Sequence, residues 1–195
     1  MSWKEFCLLP DENGRTQVAK WYQEVDYRNL KIPQREDGEC YKEICKSFLK
    51  KPMNLVLTGQ AGRGKTHFSY CLLRGLFDFC HVNLGDIRFF KSKALDDRIL
   101  REINIYHSAA SFLSSLAEVE YLFIDDFGIE RDSERTNRDY YELLDARLYE
   151  CKTTVISTNL SEEGIAEHFK GRIYSRLKEF IWMEFDGPDL RGGRI

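Results

Sequence analysis

The strongest chemical signal in the chain is the run Gly59-Gln60-Ala61-Gly62-Arg63-Gly64-Lys65-Thr66, which fits G-x-x-x-x-G-K-[ST]. Its glycines let a backbone wrap so that successive N–H groups face inward around an anion. A helix opening directly after the loop adds its positive N-terminal end. Lys65 supplies a mobile point charge suited to β- and γ-phosphates, and the Thr66 hydroxyl suits a Mg²⁺ shell. With His67 next in line, residues 59–67 form a candidate cradle for a nucleoside triphosphate.

Sixty residues beyond Lys65, Tyr121-Leu122-Phe123-Ile124 ends in Asp125-Asp126. An Asp pair after an apolar run also serves as a loop start or a helix cap. At the end of a strand in the same sheet it reads instead as a Walker B pair. Asp125 would hold Mg²⁺, directly or through water, and Asp126 would orient or polarise the attacking water as general base. Many ATPases of this type carry Glu at the second position. Aspartate is one methylene shorter, so slow hydrolysis is the expectation. A further apolar run, Thr153–Ser157, ends in Thr158-Asn159. Asn159 could sense the γ-phosphate or hold the water; equally, it could turn the chain with Leu160-Ser161.

These residues need a scaffold that brings distant segments to one edge. Short apolar runs predict strands at Leu55–Thr58, Ile87–Phe90, Tyr121–Ile124, Thr153–Ser157 and Ile181–Phe185. Helical patterns fall near 39–51, 65–79, 92–103, 108–117, 136–150 and 162–178. In 39–51, Tyr41, Ile44, Cys45 and Phe48 share a face, and Pro52 stops the helix. In 136–150 the pattern assigns Thr136 as cap and Tyr141, Leu144 and Leu148 to one face. Alternation of strands and helices implies an α/β fold with a parallel sheet covered on both faces. Right-handed crossovers then align the C-terminal strand ends along one edge, where ligands bind.

Composition bounds the rest. The 195 residues are 43% apolar and 31% charged, with a net charge of −3. Extended disorder is excluded, and so is a uniformly basic nucleic-acid binder. No apolar stretch approaches the roughly 20 residues of a membrane helix, and Met1–Cys7 lacks the pattern of a signal peptide. The six cysteines are scattered and read as reduced thiols. Cys40 and Cys45 lie near each other, but no second pair or nearby His completes a metal site. The expectation is a cytoplasmic protein with no membrane partner.

With these motifs together, residues 25–195 resemble the AAA+ ATPase superfamily. Within it, the chain is similar to the bacterial replicative-helicase loaders of the DnaC/DnaI type, close relatives of the transposition helper IstB. The resemblance rests on Gly59–Thr66 (Walker A), Tyr121–Gly128 (Walker B), Val155–Leu160 (sensor 1) and Gly171-Arg172-Ile173-Tyr174-Ser175-Arg176-Leu177, which resembles box VII of the loaders and the initiator DnaA. It implies a five-stranded parallel sheet of order 5-1-4-3-2 without a helical lid. Residues 1–24 then form a short N-terminal extension.

The resemblance further implies ATP with Mg²⁺, hydrolysed at the subunit interface of an ATP-dependent homo-oligomer. Arg176 matches the arginine finger, with Arg172 one turn earlier as the rival; a solvated, charge-paired helix face is the plain alternative for both. Arg191 looks like a sensor-2-like nucleotide contact. Single-stranded DNA is expected on Lys91, Lys93, Arg98 and Arg101, a patch interrupted by Asp96 and Asp97 that reads equally as a solvated helix. The implied function is a loader that delivers a replicative ring helicase. The alternative is a nucleotide-switched adaptor or transposition helper acting on a transposase. The loaders carry an N-terminal domain that grips the helicase, in some with zinc. Here the region before the core is about 20–40 residues, short for a domain that folds alone. Helicase contact is then expected through another surface, or in a shortened variant from a mobile element or phage.

Overall fold

The computed structural model describes residues 2–8, 18, 20–26, 41–129, 133–169 and 171–190. Five strands form at the apolar runs: β1 (Leu55–Thr58), β2 (Ile87–Lys91), β3 (Tyr121–Phe127), β4 (Thr153–Thr158) and β5 (Ile181–Glu184); β3 runs three residues past its apolar run, so Asp125 and Asp126 lie inside the strand. They build one parallel sheet in the order β2-β3-β4-β1-β5. This is the expected order read from the opposite edge. β1, β3 and β4 are almost wholly buried, which explains why their sequences run apolar without alternation.

The two-residue period of a strand divides the core into two layers. Leu55, Leu57, Phe123, Val155 and Met183 face α3 (Tyr41–Lys50) and α4 (Lys65–Phe79). Val56, Leu122, Ile124 and Ile156 face the opposite layer, formed by α5 (Ser92–Tyr106), α6 (Ala110–Glu118), α7 (Glu134–Tyr149), α8 (Glu162–His168) and α9 (Arg172–Leu177). Each fully buried aliphatic or aromatic side chain in these layers contributes about 1.5–3 kcal/mol. In α3 the expected face is buried at Tyr41, Cys45 and Phe48, with Ile44 at its margin.

The N-terminal helices α1 (Trp3–Leu8) and α2 (Lys20–Gln23) lie on the α4 layer. Trp3 and Phe6 pack on Phe77 of α4 at 6.2 and 5.0 Å between ring centres. The Trp3 indole donates to the Gln23 carbonyl at 2.8 Å. The described part of segment 1–24 thus shares its core with the sheet. Among the described residues no helix is long and apolar enough to cross a membrane.

Three local expectations are corrected. The 162–178 pattern is two helices, α8 and α9, parted at Gly171 with φ +87°. In α7, Ser133 is the cap and not Thr136: its hydroxyl accepts the Thr136 N–H at 3.0 Å. The buried stripe of α7 is Tyr140, Leu143, Leu144 and Arg147, so Tyr141 and Leu148 sit at its margin. A reading that places every charged residue outward shifts this face, because Asp139 and Arg147 are both buried. Ser133→Ala is expected to cost about 1 kcal/mol, the usual worth of such a cap, measured as a lower urea midpoint with unchanged slope.

Candidate nucleotide-binding site

The loop after β1 is held in place from both sides. The Phe185 N–H donates to the Thr58 carbonyl at 2.7 Å, and the Thr58 hydroxyl donates to the Leu160 carbonyl at 2.5 Å. Gly59 has φ +131°, and a Cβ there would stand 2.3 Å from the Phe185 carbonyl oxygen. No other residue fits that approach. Gly62 is enclosed by the segment that follows β5: the Leu190 N–H donates to its carbonyl at 2.9 Å, and a Cβ would meet the Asp189 carboxylate at 1.9 Å. Sequence reasoning placed Arg191 here and overlooked Asp189. Arg191 itself lies outside the described residues.

Lys65 opens α4 and is 5% exposed. Its ammonium donates to the carbonyls of Gly59 (2.5 Å) and Gln60 (2.9 Å) and to Asn159 Oδ1 (2.8 Å). The contact with Asn159 turns that side chain toward the loop, which spacing alone left open. Gln60 and Ala61 are exposed on the rim, and Arg63 donates to Gln60 Oε1 at 3.1 Å. His67 lies on the first turn of α4 with its ring 6.3 Å from Tyr22, and burial lowers its pKa.

Across the sheet edge, the Thr66 hydroxyl donates to Asp125 at 2.9 and 3.1 Å to its two oxygens. Ser157 on β4 also donates to Asp125 and accepts the Asp126 N–H at 3.1 Å. Ser157 was not among the residues the motifs singled out; a hydroxyl two positions before Asn159 was its only trace. Burial raises the Asp125 pKa, against the Ser157 bond; the Asp126 charge adds to the rise, while the Thr66 bond and Lys91 oppose it. Asp126 follows in the left-handed region with φ +58°, where β3 slips relative to β4: Ile124 pairs Ile156, yet Phe127 pairs Thr158. One extra residue on β3 makes this a bulge, a device that re-aims side chains beside functional sites.

A buried carboxylate, two hydroxyls and a second, half-buried carboxylate are hard oxygen donors, which fits Mg²⁺ held jointly with phosphate oxygens. Asp125 and Thr66 are the residues that would hold it. Such a cation would neutralise charge on the bound phosphates. The buried Lys65 ammonium and the amides of residues 59–66 would hold the phosphates themselves.

Apart from Lys91, the remaining described candidates lie away from this centre. Arg176 is held within the chain: its Nε is 2.6 Å from Asp145 Oδ1, its Nη2 donates to Tyr141 at 2.8 Å, and its guanidinium lies over the Tyr141 ring. Arg172, at the start of the same helix, is exposed. Of the basic patch, Lys91 pairs with Asp125 in strand register, at the margin of the nucleotide site. Arg98 is half-buried, paired with Glu102 at 2.8 Å and stacked on Phe112. Asp96 turns inward to Arg135 at 2.5 Å, which leaves Lys93, Asp97 and Arg101 exposed on α5. Cys45 is buried and Cys40 lies outside the described residues; among those described, no three or more His, Cys, Asp or Glu side chains come together as a metal site built from such ligands alone.

Known proteins resemble this chain in sequence and in fold. The IstB-like ATP binding protein family matches residues 15–173. The replicative helicase loader DnaC of Buchnera aphidicola (subsp. Schizaphis graminum) is 22% identical over 189 residues, covering 91% of this chain and 74% of the relative. An ATP-binding protein of insertion sequence IS1162 from Pseudomonas fluorescens is 30% identical over 122 residues, 61% of this chain and 49% of the relative. The crystal structure of the DnaC helicase loader superposes with a TM-score of 0.73 at 20% identity, covering 86% of this chain and all of that one. The family match spans the phosphate loop, both Asp residues, Asn159 and the first residues of α9, so the chain belongs to the IstB-like ATP-binding family and has the AAA+ fold of the helicase loaders.

Proposed function

We propose that this chain is an ATP-binding and ATP-hydrolysing helicase loader of DNA replication, with residues 25–195 as its ATPase module and 1–24 as an extension whose described part packs upon it. The observation that carries the reading is the convergence of Lys65, Thr66, Asp125, Asp126 and Asn159 at one sheet edge. Lys65 and the loop amides bind the phosphates, Thr66 and Asp125 hold Mg²⁺, and Asp126 polarises the attacking water with Asn159 beside the γ-phosphate. The similarity to DnaC supports a ring helicase as partner and DNA as the setting. Of the basic patch, Lys91, Lys93 and Arg101 lie at the surface, where single-stranded DNA would meet them.

The second reading is a nucleotide-switched adaptor or transposition helper, favoured by the match to the insertion-sequence protein and by the short Asp126 in the water-polarising place. Capture of partners from the native host by the ATP-loaded protein separates the two. Recovery of the replicative helicase, with ATPase activity raised by single-stranded DNA, supports the loader. Recovery of a transposase, with function intact in an Asp126→Asn variant that still binds ATP, supports the adaptor.

Assembly supplies another test. For Arg176 to reach a neighbour's nucleotide it must leave Asp145 and Tyr141. Specific activity is expected to rise with protein concentration in the wild type and to lose that rise in Arg176→Ala, since such a finger is worth about 10³-fold or more. If the rise instead survives Arg176→Ala and disappears in Arg172→Ala, the finger is Arg172.

A further inference from the structure

We infer that Ser157 is a positioning residue for both acidic groups of the site, and that its hydroxyl couples Mg²⁺ capture to the placement of the water-polarising carboxylate. The inference deepens the ATPase reading and rests on it. A serine hydroxyl has one proton to donate and two lone pairs to accept with. Here the proton goes to Asp125, and one lone pair takes the Asp126 N–H at 3.1 Å. Ser157 is 1% exposed and Asp125 2% exposed, so water does not substitute readily for either bond.

Two hydroxyls from different elements therefore aim the Asp125 carboxylate, both bonding its Oδ1. Thr66 reaches it from α4 and Ser157 from β4. A ligating carboxylate fixed by a second hydrogen bond gives up less freedom when it takes a cation, which is why such outer partners matter about 10–100-fold in metal affinity or activity. The second bond acts on the bulge. Asp126 has a left-handed backbone, which costs a residue other than glycine about 1–3 kcal/mol and persists only when its surroundings hold it. The Ser157 lone pair holds it at the N–H immediately before the Asp126 Cα. One β4 residue thus sets the direction of Asp125 and the backbone from which Asp126 projects.

The test uses the full chain and a fluorescent N-methylanthraniloyl ATP, titrated first in EDTA and then with MgCl₂. In Ser157→Ala the affinity in EDTA is expected to stay within about twofold of wild type, because the phosphate loop is untouched. The Mg²⁺ concentration for half-maximal enhancement of binding is expected to rise about 10–100-fold, with a parallel fall in turnover. Ser157→Thr, which keeps the hydroxyl on a strand that favours branched residues, is expected to restore both. Ser157→Cys conserves shape with a weak donor and is expected to fall between, and it decides the matter should the alanine chain not fold. Wild-type Mg²⁺ dependence in the alanine or cysteine variant overturns the inference alone. A wild-type chain whose ATP binding ignores Mg²⁺ overturns it together with the proposed hydrolysis.

Discussion

Lys65→Ala is expected to abolish ATP turnover and to weaken ATP binding by about 10²–10⁴-fold. The magnitude follows from the loss of two charge-assisted bonds to phosphate oxygens, each worth about 1.5–3 kcal/mol. Lys65 is 5% exposed and its ammonium is held by protein oxygens, so little hydration shell remains to be removed when a phosphate arrives. Its present acceptors are the Gly59 and Gln60 carbonyls and Asn159, all at the loop mouth. Truncation leaves those carbonyls without their donor, so some loop order is lost as well. Calorimetric titration with ATP, alongside phosphate release under turnover, checks both parts. Affinity within threefold of wild type would sink the assignment of Lys65 as phosphate-binding cation. A melting temperature within a few degrees of wild type separates this loss from unfolding, because the core lies behind β1 and not at the loop.

Arg147→Ala is expected to destabilise the fold by about 3–5 kcal/mol, as much as truncating a large buried aromatic side chain. Arg147 is fully buried in α7, and burial brings its pKa down to about 10, so it remains a cation at neutral pH. Oxygen dipoles hold that charge. Its guanidinium donates to the carbonyls of Leu116 (2.6 Å), Val119 (2.8 Å) and Thr153 (2.6 Å), and to the Thr154 hydroxyl (2.8 Å). The first two oxygens lie at the C-terminal end of α6, where carbonyls lack helical partners and the dipole is negative. Arginine therefore caps α6 from another helix and ties it to the start of β4. Alanine would leave a cavity lined with unpaired carbonyls; lysine, with one point of donation, could not reach α6 and β4 together. For a chain of this size the loss corresponds to a fall of about 10 °C in Tm. Urea unfolding followed by far-ultraviolet circular dichroism measures it, and a loss under 1 kcal/mol would show the carbonyls to be satisfied otherwise.

Residues read through local chemistry were legible before any coordinates. The five strands and the α4 boundaries follow from short periods of apolar residues, which one segment carries by itself. The phosphate loop was equally plain, because its glycines, lysine and threonine act through backbone shape within eight residues. Ser157 was not legible. Its importance comes from a bond to Asp125 on the neighbouring strand, and a serine at a strand end looks the same with or without it. The face of α7 was misread for a related reason: Arg147 counts as a surface residue until the carbonyls of α6 are brought beside it.

Asp189 and Arg176 divide along the same line. Nothing in Gly187-Pro188-Asp189-Leu190 says that it returns over the phosphate loop, and nothing in α9 says that Arg176 is already held by Tyr141 and Asp145. By itself the sequence determined the order of the five strands, the nucleotide-binding loop and the chemistry available at three strand ends, since each depends on residues adjacent in the chain. The tertiary structure alone decided which hydroxyl aims Asp125, where the bulge turns Asp126, how a buried cation is satisfied and which arginine stays exposed. Each of those is a contact between residues far apart in sequence, chosen by how the sheet and helices pack.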